Sequence, residues 1–282
     1  MRWLFNPDAR DVDRRKLLYQ GAILFYSTSP ASLALCAHAR AMAKEAFGAL
    51  DPEHAQEHLE QEKFVSVVGP LKSNFTNDRD TKRLVCAYLM EQGVDPEATY
   101  FDVPRLRVVP HSDYLTAGVS YAYKAHRDIW YSSPSAQVNW WLPVWDVTPD
   151  RTMAFYPRYW DKKLKNSSAG FDYAEWVDVG RKLATSQLKS DARNHPLPLE
   201  EPSSDEEFRF GAAAGNAILF SAAHLHATAP NTSDRTRYSM DFRTVDVEDL
   251  RNGVGAPNID SESRGSTLGD FLRVSDLRPM SQ

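Results

Sequence analysis

Residues 136–144 constrain what this chain can fold into more than any other segment does. In an extended chain successive side chains point to opposite faces. Ala136, Val138, Trp140, Leu142 and Val144 therefore share one face, and Gln137, Asn139, Trp141 and Pro143 share the other. The apolar face must be covered by a core. The face that mixes two amides with an indole needs partners for its polar groups and fits a polar cavity. A half-buried strand with this face in solvent is the plainer alternative.

The surroundings suit such a strand. From Tyr100 onward the pattern is one of short β-type runs broken by Pro, Gly, Asn and Ser, at residues 105–109, 121–123, 136–144, 153–156, 217–220 and 238–247. Many short strands predict a sandwich or barrel. The first hundred residues read differently. After a short apolar strand at 22–26, residues 31–50 are rich in Ala, Leu, Met and Lys and predict a helix. Residues 80–92 predict another, with Asp80 as N-cap and Gly93 as stop signal. The expectation is one domain spanning 1–282: a helical layer over about 1–100, a β core over about 100–250 and a polar, loosely held tail at 251–282. Residues 195–207 are Pro-rich and acidic and predict a surface loop.

Charge narrows the partners. Lys plus Arg number 33 against 38 acidic residues, a net −5, and no basic cluster marks a nucleic-acid footprint. Cys36 and Cys86, the only cysteines, fall in helical-looking segments and suit two buried thiols better than a disulfide framework. The chain shows neither a secretion signal nor an apolar run long enough to span a membrane, so a cytoplasmic location is expected.

Two short segments carry the chemistry. In His126-Arg127-Asp128 the alternation of an extended chain puts the histidine and the carboxylate on one side. A third ligand from a distant strand, His226, completes a two-histidine, one-carboxylate set. That set leaves positions open on one face of a metal, as in non-haem Fe(II) oxygenases. Downstream of His226 stand Asn231, Ser233 and Arg237, and Arg237 is placed to hold a keto-acid carboxylate in a bidentate pair. His111-Ser112-Asp113 offers a second His-x-Asp, read as a surface turn. His224, two residues before His226, competes for the metal and is otherwise expected near it or in the substrate pocket. Arg105 and Arg107 are either receptors for a substrate carboxylate or ordinary surface charge.

This order, His126-Arg127-Asp128, a Trp-bearing strand, then His226 with Asn231, Ser233 and Arg237, resembles the phytanoyl-CoA dioxygenase family of Fe(II)/2-oxoglutarate oxygenases over roughly residues 105–244. The resemblance implies a mainly β fold with flanking helices: a double-stranded β-helix (jelly-roll, cupin-like) core with a helical N-terminal region. It implies Fe(II), 2-oxoglutarate and dioxygen as cofactors, with iron on His126, Asp128 and His226. Arg237 would hold the 2-oxoglutarate side-chain carboxylate, helped by Thr228, with Trp141 lining the cosubstrate pocket; Gln137 and Asn139, on the same strand face as Trp141, are expected to bind the cosubstrate with it. The implied reaction couples decarboxylation of 2-oxoglutarate to oxidation, most simply hydroxylation, of a C–H bond in a small organic molecule such as one of natural-product or amino-acid metabolism. One departure bears on that substrate. Where the family has a small Pro-Gly-Ser-His turn, this chain has Pro157-Arg158-Tyr159-Trp160, which predicts a compact, aromatic pocket rather than room for a CoA thioester. Two other readings keep the same residues: a zinc hydrolase built on the triad, and a non-catalytic β-barrel binding protein.

Overall fold

The computed structural model describes residues 2–187 and 190–280. Its strands form an eight-stranded sheet, in which β1 (Arg2–Phe5), β2 (Ala22–Tyr26), β8 (Ala217–Ser221), β5 (Val138–Pro143), β10 (Arg237–Asp246), β3 (Thr99–Asp102) and β11 (Phe271–Arg273) follow one another. The eighth strand, β4 (Arg105–Val109), also pairs with β10. A second sheet holds β7 (Phe208–Arg209), β6 (Met153–Phe155) and β9 (His226–Thr228). Only β1 and β2 run parallel; the other pairings are antiparallel. The molecule is thus mainly β sheet accompanied by helices.

Helices α1 (Asp11–Tyr19), α2 (Pro30–Phe47), α3 (Gln61–Asn77) and α4 (Arg79–Glu91) lie within the first hundred residues, with α5 (Tyr173–Asp178) and α6 (Val247–Arg251) later in the chain. The Ser29 and Ser32 side chains each accept from the other's backbone N–H, a capping box that starts α2 at Pro30. For α4 the N-cap is Asp78, not Asp80: its carboxylate accepts from the Thr81 N–H at 2.7 Å, leaving Asp80 inside the first turn. Gly93 ends that segment with φ +76°, a left-handed conformation that a side chain would strain.

Strand β5 is buried throughout, and its two faces meet different surroundings. Val138, Trp140 and Leu142 join Leu35, Ala39, Phe64, Val85, Tyr88 and Leu89 in the main core. Trp140 stacks on Phe242 of β10 at 6.0 Å and donates its indole N–H to Thr244 Oγ1 at 2.9 Å. On the other face Trp141 joins Ile23, Met153, Phe155, Phe210, Ile218 and Phe220 in a smaller cluster that joins the two sheets. Strand β10 repeats this division. Tyr238, Met240 and Phe242 enter the core, while Arg237, Asp241 and Arg243 line the cavity. Both cysteines are buried and free; Cys36 donates to the Pro143 carbonyl.

Three expectations change. Residues 121–123 form no strand; the Tyr123 carbonyl instead accepts a single bond from the Thr228 N–H. The tail from 251 is anchored up to 280, because Phe271 and Val274 are buried and β11 adds to β3, while residues 281–282 lie outside the described ones. His195, expected in a surface loop, is buried, with its ring stacked on Tyr121 at 3.9 Å. Among the described residues no helix is long and apolar enough to cross a membrane.

Candidate metal centre and cavity

His126 and His226 come from segments a hundred residues apart, and their backbones exchange two hydrogen bonds of 2.9 Å in an isolated antiparallel bridge. The bridge fixes both rings. His126 Nδ1 donates to the Lys124 carbonyl at 2.7 Å, and His226 Nδ1 to the His224 carbonyl at 3.0 Å. Committing both Nδ1 atoms to carbonyls leaves each Nε2 with a free lone pair, the tautomer that a metal ligand needs. Asp128 opens a short 3-10 turn after Arg127, which is itself extended (φ −110°, ψ 143°). The chain therefore turns one residue later than a continuous strand would, and the alternation across 126–128 survives. Asp128 Oδ1 lies 3.5 Å from His126 Nε2 and 3.8 Å from His226 Nε2. The three donor atoms fall within 4.8 Å of one another.

The other carboxylate oxygen is held separately. Gln137 Nε2 donates to Asp128 Oδ2 at 3.0 Å and to Asn139 Oδ1 at 2.9 Å, and Arg243 Nε stands 3.7 Å from the same Oδ2. Burial alone would raise the Asp128 carboxyl. Its contact with the His126 ring and the Arg243 charge outweigh it and hold the group well below the usual carboxylate range. Burial, reinforced by the neighbouring His126, pushes His226 down to about 4, so its ring is neutral at neutral pH.

Beside this set a cavity of about 700 Å³ opens between the sheets and the helical layer, a size ordinary for a small-molecule site. Arg237 is buried in its wall with its guanidinium 5.9 Å over the Trp141 ring. Nη1 donates to the Thr152 carbonyl at 2.6 Å, Nε has no partner, and no carboxylate pairs with the group among the described residues. Burial, with Arg107 adding, pushes this guanidinium down to about 10. Asn139 Nδ2, in the same cavity wall, also lacks a partner, as do the buried hydroxyls of Thr152 and Ser239, which do not themselves line the cavity. Unpaired buried donors are costly, which makes this wall a receptor for acceptor oxygens.

The remaining expected residues sort themselves by position. Trp141, Thr228, Gln137 and Asn139 all line the cavity. His224 does not: its Nδ1 meets Ser221, and its ring packs on Trp160 at 4.6 Å. It steers His226 through its backbone carbonyl and not through its ring. Tyr159 and Trp160 lie outside the cavity as well, since Trp160 sits over Gly21 and His224, so the expectation that they narrow the pocket fails. The aromatic wall comes instead from Trp141, Tyr121, Tyr123, Tyr131 and Trp176. His111 and Asp113 sit in a turn where Ser112 and Asp113 adopt positive φ. Arg105 and Arg107 are not surface charges. Arg107 makes a bidentate pair with Asp241 at 2.5 and 3.0 Å, and Arg105 pairs with Asp102. Arg243 was missed, although the same alternation along 237–243 picks it out.

A family model described as phytanoyl-CoA dioxygenase (PhyH) matches residues 20–239. No curated protein is similar enough to match the chain. Among solved structures, the chain is similar to the apo non-heme monooxygenase ThoJ, with 13% identity, 86% of this chain and 85% of the other covered, and a TM-score of 0.45. It is also similar to SnoN, described as a non-heme alpha ketoglutarate dependent epimerase from nogalamycin biosynthesis, with 12% identity, coverage of 94% and 100%, and a TM-score of 0.42. A third is AviO1 from Streptomyces viridochromogenes Tue57, with 11% identity, coverage of 82% and 95%, and a TM-score of 0.38.

Proposed function

Because this chain belongs to the phytanoyl-CoA dioxygenase family, we propose that its cavity is the site where a C–H bond of a small organic molecule is oxidised, most simply by hydroxylation. The chain is an enzyme that depends on iron, 2-oxoglutarate and dioxygen. The single observation that carries the site reading is the convergence of His126, Asp128 and His226 beside a buried arginine that makes no ion pair among the described residues. In this reading the two sheets are the halves of a double-stranded β-helix, and residues 1–282 fold as one domain.

Iron, when bound, supplies the activation of dioxygen coupled to conversion of 2-oxoglutarate to succinate and carbon dioxide. The residues do the rest. His126 and His226 present Nε2 lone pairs, and Asp128 presents Oδ1 because Gln137 and Arg243 engage Oδ2. Arg237 receives the far carboxylate of 2-oxoglutarate; Thr228 and the unpartnered Asn139 amide stand as further donors. Trp141 backs that guanidinium, and its cluster with Phe155 and Phe220 keeps water from the inner end. Gln137 serves the metal-side carboxylate and not the cosubstrate directly.

The test is anaerobic titration of the protein with Fe(II) and 2-oxoglutarate, followed by succinate measurement on admitting oxygen. A metal-to-ligand charge-transfer band that needs both components, and succinate formation that follows it, are expected. Turnover supported by zinc alone, without 2-oxoglutarate, would overturn the reading in favour of a hydrolase.

A further inference from the structure

Around the cavity almost every cation has a carboxylate, and Lys72 is the exception beside Arg237. Arg105 and Arg243 share Asp102, Arg107 grips Asp241, Arg181 meets Asp270, and Arg193 meets Asp191. Lys72 lines the cavity from α3 and donates from Nζ to the Val119 carbonyl; among the described residues it has no ion pair. Arg107 and Arg193 crowd it with like charge, and only Asp241 opposes them. Burial first, then Arg107, push the ammonium down to about 7. Ser120, next to Val119, also lines the cavity, and its buried hydroxyl has no partner. A half-buried ammonium in the cavity wall that donates to a carbonyl, beside a free hydroxyl, lacks an anion.

The space between this corner and the triad is aromatic. Arg107 lies 5.1 Å over the Tyr123 ring, and Tyr123 in turn packs 5.3 Å from the His126 ring. Tyr121 meets Tyr123 edge-on at 4.8 Å, and Tyr131 meets His126 at 5.4 Å. A molecule anchored at Lys72 would lay its body on these rings, with its far end towards the metal ligands.

We propose that Lys72, with the Ser120 hydroxyl, is the receptor for a carboxylate on the prime substrate, and that this substrate is a small carboxylic acid with an apolar body seated on Tyr121, Tyr123 and Tyr131. The proposal rests on the oxygenase reading of the cavity and gives that reading a substrate class. One charged anchor and an apolar wall fix which C–H bond faces the iron.

The probes are phenylacetate and its neutral partner phenylacetamide, titrated anaerobically into the protein loaded with Fe(II) and saturating 2-oxoglutarate. Phenylacetate is expected to bind about tenfold or more tightly than the amide. Lys72→Met should erase that preference while keeping the charge-transfer band, and Lys72→Arg should keep both. Equal binding of the two probes, binding of neither, or a full preference in Lys72→Met overturns the proposal. A second measurement uses the metal-free protein: trinitrobenzenesulfonate labelling of Lys72, read by peptide mass spectrometry, should be slowed by phenylacetate and not by phenylacetamide. Unslowed labelling also overturns it. Absence of the charge-transfer band defeats the oxygenase reading instead, and labelling then still decides the role of Lys72.

Discussion

Asp128 shows how much positioning a single carboxylate needs. With Oδ2 engaged by Gln137 and Arg243, Oδ1 has only the two imidazoles to face. Asp128→Ala is expected to abolish iron retention, read as metal per protein after gel filtration. His226→Ala should do the same, whereas His224→Ala should keep iron, because only the His224 backbone contacts His226. Iron retained in the first two variants would remove those ligands from the site. Arg237→Ala should leave iron bound and raise the KM for 2-oxoglutarate about thirty- to several-thousand-fold, from the roughly 2 to 5 kcal/mol that a lost carboxylate partner costs. An unchanged KM sinks that role. At this scale the sequence reaches a long way, since alternation puts His126 and Asp128 on one side and the family resemblance points to His226 and Arg237, and the structure brings the first three together. The ring tautomers were not, because they depend on the carbonyls of Lys124 and His224, which spacing does not locate. Nor was the ordinary packing role of the His224 ring.

At the scale of elements, β5 and β10 declare themselves by alternation, and the segment from α5 to His195 does not. That segment has no periodicity to read, and the burial of His195 at its end comes from contacts with Tyr121, Tyr123 and Tyr131, which are distant in sequence, and with Trp176 of α5. His195 is the pin. Its Nδ1 meets the Tyr131 hydroxyl at 3.2 Å, with Arg193 and Asp191 alongside. Burial, then the Arg193 charge, push His195 down to about 3, well under its ordinary value near 6.5. The unfolded chain therefore takes up the proton first. The contribution of His195 to stability is complete above about pH 6.5 and is lost as pH falls towards the folded value. The protection factors of amides 173–187, which correct hydrogen exchange for its intrinsic pH dependence, are expected to fall between about pH 7 and pH 5, and His195→Gln should reduce that dependence. An acid response unchanged in the variant would release His195 from this task. Tyr159 and Trp160 teach the converse: large rings at the right sequence position still turned outward, because Gly21 and His224 leave a site for the indole behind β9.

Across the whole molecule, the tail and the metal centre are one mechanical unit. Arg127, between the proposed metal ligands His126 and Asp128, is fully buried and spends its guanidinium on Asp260 and on the carbonyls of Ala223, Tyr159 and Lys162. Asp260 also accepts from the Trp130 indole and the Leu164 N–H. Composition marks 251–282 as polar and loose, and no local pattern reveals that one aspartate there neutralises a charge buried near residue 127. Asp260→Ala strands that charge and should cost about 3–5 kcal/mol, read as a lowered urea midpoint, with iron affinity falling alongside. A variant as stable as the parent would show that Arg127 finds its compensation elsewhere. The backbone bridge between His126 and His226 has a consequence for biosynthesis. During translation the first ligand pair emerges long before its partner, and a ribosome-bound chain that stops short of residue 226 has nothing to hold the imidazoles together. Iron binding at this set would therefore wait for a chain that has closed the hundred-residue loop between the two histidines.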